Sequence, residues 1–560
     1  MPDAPYADDL QWATITDFSP GIRSRSREVL AGHAIPAPLG SAQVTNTFRC
    51  ISLPTGGLAP LPAIDKVFDL PLPVADAGTS LGYFNIDGFF AFGPVGPPAA
   101  SASGIVDDLF VIIEYLDSAG THRVATYYRI DLITITPTVD TLKSISSTQN
   151  PTAEQYRASS FTVDRMNPTS PYLTPGTPVV VADWSPPGFA ADQHIWAFPA
   201  PNAPSVTAAV DIASAMAGRV LGHQGRILVF QDVTNAFGAN SGDEIPTNEQ
   251  LNFSDPANSY NTASPTSTIG TQQEVFMQEY PNGYGAFGSI AAGELFLVKN
   301  QGGGLIASGD IANPTITRLA GVTSTGGVGS IAASTPTGLV YYSRNNGVWS
   351  WNGADSSTKI SDFLEDDFVH YPNGPDVVIS FSYQLQEWGD WILATNGYLY
   401  DTNSSAWWRL DDPSTYVPQW YSRSFFAESM YAVPMRINNT TKVGAVRRYN
   451  RLKPAHSFSW QGHPIPVSLE RVIDVTQVVL LAQGAGTITV TLTNLDGTSQ
   501  TETFTITNAS QPQRLRLATY AQGYNLVPSI VSTGSGGSGS APIVHSVGWG
   551  YSVTQDAVAT

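Results

Sequence analysis

Five short apolar runs recur through the middle of the chain: RILVF (226–230), ELFLV (294–298), GLVYYS (338–343), DWILAT (390–395) and SMYAV (429–433). Measured at Ile227, Leu295, Leu339, Ile392 and Tyr431, they stand 68, 44, 53 and 39 residues apart. Around several of them the same order repeats: a strand, a short turn, the apolar strand, a turn with Gly or Asn, another strand. GSIAAGELFLVKNQGGGLIASGD (288–310), GSIAASTPTGLVYYSRNNGVWSWNG (329–353) and SYQLQEWGDWILATNGYLYDTNSSAWWRL (382–410) are examples. Units of about 40–50 residues with four short strands are the signature of propeller blades. One such sheet cannot bury both of its faces alone, whereas neighbours stacked round an axis bury each other. A sandwich with coincidental hairpin spacing is the alternative.

Helical periodicity is scarce. Val206–Leu221 is the best window for it, and its β-branched residues weaken it. From about Pro454 the pattern turns to longer alternating strands, about eight in about 105 residues, as in a compact sandwich. The clearest hairpin is 487–506, in which two Thr-alternating strands flank Asp496-Gly497, and the glycine supplies the positive φ of a turn. The expected fold class is therefore all-β, with β-propeller-like repeats, an N-terminal extended arm, a Pro-rich insertion and a C-terminal β-sandwich. The expected divisions are 1–75 for the arm, wrapped over a neighbour rather than forming its own core, 76–453 for the propeller with an irregular insertion at about 136–205, and 454–560 for the sandwich.

Composition narrows the function. Of 560 residues, 46 are acidic and 27 are Lys or Arg, giving −19, and only 13% are charged. Such acidity argues against general adhesion to nucleic acid. With 42% hydrophobic and 11% aromatic residues the chain has ample material for a core. No apolar run nears the length of a membrane span, and the acidic start MPDAPYADDLQW lacks the features of a secretory leader. The single cysteine, Cys50, excludes an intrachain disulfide and a Cys-based zinc site.

Catalytic signatures are few, and no catalytic, cofactor-binding or metal-binding residue is assigned. The closest histidines, His456 and His463, read as surface-loop residues. Asp362, Glu365, Asp366 and Asp367 could supply a carboxylate pair for glycoside hydrolysis, although neighbours on a strand point to opposite faces; a solvated loop or a channel wall is the plainer reading. Trp349, Trp351, Trp388, Trp391, Trp407, Trp408 and Trp420 lie within 72 positions. Of these Trp388, Trp407 and Trp408 are candidates for stacking on sugar rings, against the simpler reading as core. Lys442, Arg447, Arg448, Arg451 and Lys453 put five of the 27 cations in twelve positions, a candidate intersubunit ion-pair surface or, less directly, a DNA-binding patch.

Three segments together resemble bacteriophage tail proteins, most closely the nozzle family of short-tailed phages (tail tubular protein B type) and related minor tail proteins. They are ITDFSPGI (15–22) with PTGGLAPLP (54–62); GHQGRILVFQ (222–231) with EQLNFSDPANSYN (249–261); and SWQGHPIPVSLERV (459–472) with PIVHSVGWGYSV (542–553). The resemblance implies a non-enzymatic virion subunit without a cofactor, six copies of which form a ring through which DNA passes without specific binding. A tail adaptor or portal-proximal protein on one side, tail fibres or tip proteins on the other, and assembly in the host cytoplasm are implied with it. The alternatives are a tail-tip protein recognising host surface carbohydrate, and a glycosidase acting through Asp366.

Overall fold

The structure is a computed structural model. It describes residues 10–19, 44–72, 83–92, 108–116, 123–132, 137–146, 161–164, 179–184, 194–199, 210–214, 218–223, 226–231, 250–253, 275–276, 286–291, 294–299, 303–310, 315–319, 332–343, 347–352, 357–361, 364, 384–410, 418–424, 428–438, 444–462, 472–494, 497–523, 526–537 and 539–553. Among them there is no α-helix, and the strands form nine sheets.

The N-terminal strands are β1 (Gln11–Ile15), β2 (Val44–Phe48), β3 (Cys50–Ser52), β4 (Leu58–Pro60) and β5 (Pro62–Asp69). The next sheet is a meander of β6 (Tyr83–Phe92), β7 (Asp108–Leu116), β8 (Arg123–Asp131) and β9 (Thr138–Ser146). Five four-stranded meanders follow. The first is β10 (Phe161–Asp164), β11 (Val179–Trp184), β12 (His194–Pro199) and β13 (Val210–Ser214); the second is β14 (Gly218–His223), β15 (Arg226–Gln231), β16 (Gln250–Phe253) and β17 (Val275–Phe276). The third is β18 (Ala286–Ala291), β19 (Glu294–Lys299), β20 (Gly303–Ser308) and β21 (Thr315–Leu319). The fourth is β22 (Ala332–Thr335), β23 (Gly338–Ser343), β24 (Gly347–Trp351) and β25 (Thr358–Lys359). The fifth is β26 (Leu385–Trp388), β27 (Trp391–Ala394), β28 (Tyr398–Asp401) and β29 (Ala406–Arg409).

The last propeller sheet holds β30 (Gln419–Arg423), β31 (Ser429–Pro434) and β33 (Ala445–Pro454), while β32 (Arg436–Asn438) crosses to pair with β6. Its fourth strand is β5, paired antiparallel with β33, so a strand from the N-terminal arm completes a sheet made by the far end of the propeller. First strands pack on first strands in series: β10 on β14, β14 on β18, β18 on β22, β22 on β26, β26 on β30, and β30 on β6. This is the propeller-like arrangement that the repeats predict. All five apolar runs fall on the second strand of their sheet, as β15, β19, β23, β27 and β31. The described part of Val206–Leu221 is not helical but forms β13 and the start of β14. The Pro-rich stretch 136–205 also contributes β9 to β12.

Polar side chains fasten successive sheets. Gln384 accepts the N–H of Tyr421 at 2.8 Å and donates to its carbonyl at 2.9 Å, a two-point pairing of a side-chain amide with a peptide group. Glu387 on β26 accepts the N–H of Ser334 on β22. Trp407 donates to the Ile360 carbonyl at 2.8 Å and Trp420 to that of Ile86 at 2.6 Å.

The sandwich adds β34 (Ser457–Gly462), β35 (Ile473–Gln483), β36 (Gly486–Thr493), β37 (Ser499–Ile506), β38 (Gln513–Gly523), β39 (Val527–Gly534) and β40 (Ile543–Val553). One sheet runs β2-β34-β39-β36-β37; the other runs β3-β4-β40-β35-β38, with β1 also on β40. The hairpin expected at 487–506 is β36–β37, and Gly497 has φ +85°. At the other end Gly56, with φ +88°, closes the β3–β4 turn; a Cβ there would stand 2.9 Å from the Thr16 carbonyl oxygen, which reserves the position for glycine. Where they are described, the resemblance-bearing segments fall on the end of β1 and the residues after it, the β3–β4 hairpin, β14–β16, β34 and β40.

Alternate residues of both sheets meet in a core of Val475, Val478, Leu480, Ile488, Val490, Phe504, Ile530 and Trp549. The N-terminal arm enters that core through Phe18, Cys50 and Leu58, with the Phe18 ring set edge-on to Trp460 at 5.3 Å. The same core continues into Leu399, Trp408, Tyr421 and Met430 of the last two propeller sheets. Cys50 is fully buried and donates to the Ser459 carbonyl at 3.3 Å. Burial pushes its thiol well above the ordinary value of 9.0. A raised folded-state pKa makes a contribution to stability that is complete below the unfolded value and is lost as pH rises through and beyond it. We expect Cys50→Ala to flatten the fall of melting temperature above about pH 9. The native thiol should also resist an aromatic disulfide reagent that titrates it fully in denaturant; rapid native labelling would contradict its placement.

Candidate functional site

The outer face of the sheet β1–β40–β35–β38 is built by simple alternation. On β1, Ala13 points into the core, so Trp12 and Thr14 point out. Register then sets Trp12 beside Gly550 and Thr14 beside Gly548 on β40. Those glycines lie opposite Gln477 and Val479 of β35, which in turn lie opposite Ala518 and Arg516 of β38. One more step along β35, Leu481 is paired with Arg514.

The two glycines leave β40 bare on this side, and the Trp12 indole lies in the space. A Cβ on Gly550 would stand 3.2 Å from two carbons of the indole ring and 3.4 Å from the Cβ of Gln477. The ring therefore lies across the bare strand, and Trp12 is 42% exposed. Arg516 donates to the Gln477 side-chain oxygen. Tyr520, 62% exposed, continues the outward series Arg514, Arg516, Ala518, Tyr520 along β38. The result is an open platform: one large aromatic face edged by hydroxyl, amide and guanidinium groups. Such a surface can stack against a flat apolar face of a ligand and hydrogen-bond at its rim.

The residues singled out from sequence lie elsewhere. Trp388, Trp407 and Trp408 are buried at 2%, 4% and 0% exposure, so they offer no ring face to a sugar and their assignment as stacking residues is corrected to core packing. Each lies on a short strand covered on both sides, where a large ring fills the gap between sheets.

Arg447, Arg448, Arg451 and Lys453 all lie on β33, and Lys442 is outside the described residues. Lys453 pairs with Asp65 of β5 at 2.9 Å, and in register Arg448 and Arg447 face Asp65 and Lys66. Arg451 lies over Trp391 at 4.1 Å and Trp388 at 5.0 Å, donates to the Trp388 carbonyl, and stands 4.0 Å from Glu428. Burial lowers its pKa, partly offset by the charges of Glu428 and Asp390. Arg451 and Lys453 thus hold β33 to its own neighbours within the chain. A cation over an indole is worth about 0.5–2 kcal/mol.

Asp362, Glu365, Asp366 and Asp367 fall outside the described residues, as does His463. His456 lies with its Nδ1 2.7 Å from the Gly539 carbonyl oxygen. Among the described residues no group of three or more His, Cys, Asp or Glu side chains is arranged to hold a metal ion, and no helix is long and apolar enough to cross a membrane.

No protein-family model matches the chain, and no curated protein matches it. Among solved structures, an α-L-arabinanase of Penicillium chrysogenum in complex with arabinobiose is 10% identical with a TM-score of 0.33, over 71% of this chain and 99% of its own. A β-fructofuranosidase of Schwanniomyces occidentalis is 8% identical with a TM-score of 0.27, over 88% and 97%. An acylaminoacyl peptidase of Pyrococcus horikoshii is 9% identical with a TM-score of 0.34, over 70% and 59%. These neighbours are glycoside hydrolases and a peptidase, and none of them is a tail protein. The ring-shaped nozzle, the tail-tip protein and the expectation of a non-enzymatic chain are corrected on this finding.

Proposed function

We propose that this chain binds polysaccharide on the outer face of the sheet β1–β40–β35–β38. The observation that carries the reading is the Trp12 indole, laid across Gly550 and open to solvent. A pyranose ring presents a patch of C–H groups on one face and hydroxyls round its edge. Covering an indole with that patch removes apolar surface from water, worth about 25 cal/mol per Å². Thr14, Gln477 and Arg516 stand where edge hydroxyls need partners. Openness favours a polymer: a small ligand needs a concave site to cover most of its surface, whereas a chain gains contact by lying along a platform.

Affinity electrophoresis through gels containing soluble polysaccharides of different backbones tests this. The native chain is expected to be retarded by at least one of them, and Trp12→Ala to weaken that retardation about tenfold or more. Trp12 contributes little to the core, so the variant should melt within about 1 kcal/mol of the parent. Absence of retardation by every polysaccharide, or retardation unchanged in Trp12→Ala, would overturn the reading.

A further inference from the structure

Resting on that reading, we infer that the polysaccharide is acidic, with carboxylate groups held by Arg514 and Arg516. These two residues alternate on β38, so both guanidinium groups lie on the platform side. Both are exposed, and neither is paired with a carboxylate among the described residues. In a chain with 46 acidic and 27 basic residues, two adjacent cations without a carboxylate partner among the described residues are a local reversal of sign on this sheet face. Asp474 is the acidic residue on the same face of β35; it lies opposite Gln522, at the end away from Arg514. The face therefore carries its positive charge towards one end.

Geometry relates the cations to the indole. Arg516 lies three strand spacings from Thr14, the neighbour of Trp12 on that face, a span of about 14 Å. Arg514 is about 7 Å further along β38. A sugar stacked on Trp12 thus starts a chain that crosses β40 and β35 and brings units a few residues away over the two guanidinium groups. A uronate carboxylate there accepts a forked pair of N–H bonds, for which guanidinium is better shaped than ammonium. A neutral glycan meets the same platform without that attraction.

Polygalacturonate and its methyl ester form the decisive pair of probes, since they share a backbone and differ in charge. The native chain is expected to bind the free acid about tenfold more tightly than the ester at low salt. That preference should collapse in Arg514→Gln/Arg516→Gln, and in about 0.5 M salt, where screening shortens electrostatic reach to a few ångströms. Trp12→Ala should weaken both forms. Equal binding of acid and ester would overturn the acidic preference and leave the glycan reading standing. Failure of all polysaccharides to bind would remove the reading itself. Binding of single-stranded DNA as tight as that of polygalacturonate, and indifferent to Trp12→Ala, would reduce the face to an ion exchanger and overturn the inference.

Discussion

A chain shortened by residues 1–75 is expected to lose the fold of both sandwich and propeller, instead of yielding a trimmed but folded protein. The described strands of the arm complete other sheets, and several of its described apolar side chains join the core of the sandwich. Without β5 the outer edge of β33 loses a partner along almost its whole length, and without β1 and β4 the free edge of β40 is exposed. Unpaired edges of that length invite association. Phe18, Cys50, Leu58 and Leu61 leave the shared core at the same time. Truncating a buried aromatic to alanine alone costs about 3–5 kcal/mol, and the net stability of a domain is about 5–15 kcal/mol. Size-exclusion chromatography with circular dichroism would read the outcome as aggregate or as a chain without a cooperative transition. A soluble truncated chain melting near the parent temperature would contradict the placement of β1 to β5.

The second large effect separates two tryptophans. Trp408→Ala opens a cavity where the sheet β26–β29 meets the sandwich, beside Leu399 and Leu410. It is expected to cost about 3–5 kcal/mol while leaving the platform untouched. Trp12→Ala is expected to do the reverse, lowering glycan affinity with little change in stability. Because one core runs through both sheets, the Trp408→Ala chain should unfold its sandwich and last propeller sheets together. Denaturant melts of the two variants, each paired with a binding measurement below its transition, resolve the contrast. Loss of affinity in folded Trp408→Ala equal to that in Trp12→Ala would show that the platform does not act on its own.

The apolar runs were legible because RILVF, ELFLV, GLVYYS, DWILAT and SMYAV each fall on the second strand of a sheet and together fix the phase of the repeat. GLVYYS, DWILAT and SMYAV are continuously apolar where β23, β27 and β31 are buried on both faces. VVVADW of β11 belongs to the same series, but the prolines around it hid the spacing. Val206–Leu221 misleads because its apolar residues fall at helical intervals by accident, while Val210, Ile212 and Val220 favour the strands that form.

The platform was less legible. Trp12 and Thr14 alternate with Ala13 and Ile15, which reads as one half-buried strand, yet nothing near residue 12 says what lies beside it. The available signal was far away: in VGWGY, Gly548 and Gly550 flank Trp549, so one face of that strand is bare while the other fills the core. Only the register of β1 on β40 joins the two facts. The tryptophans clustered from 388 to 408 are conspicuous in the sequence by their number, but Trp388, Trp407 and Trp408 are numerous there as large rings filling the core.

The most direct test of the glycan-binding face is a tryptophan fluorescence titration of the native chain and of Trp12→Phe with polygalacturonate. Trp12 is the large aromatic indole that stands open on the platform, whereas Trp388, Trp407, Trp408, Trp460 and Trp549 are buried. A saturable change in emission in the native chain, absent from Trp12→Phe although that variant still binds in the gel assay, is the predicted result. Saturable binding with no change in emission, or the same change in both chains, would contradict stacking on Trp12.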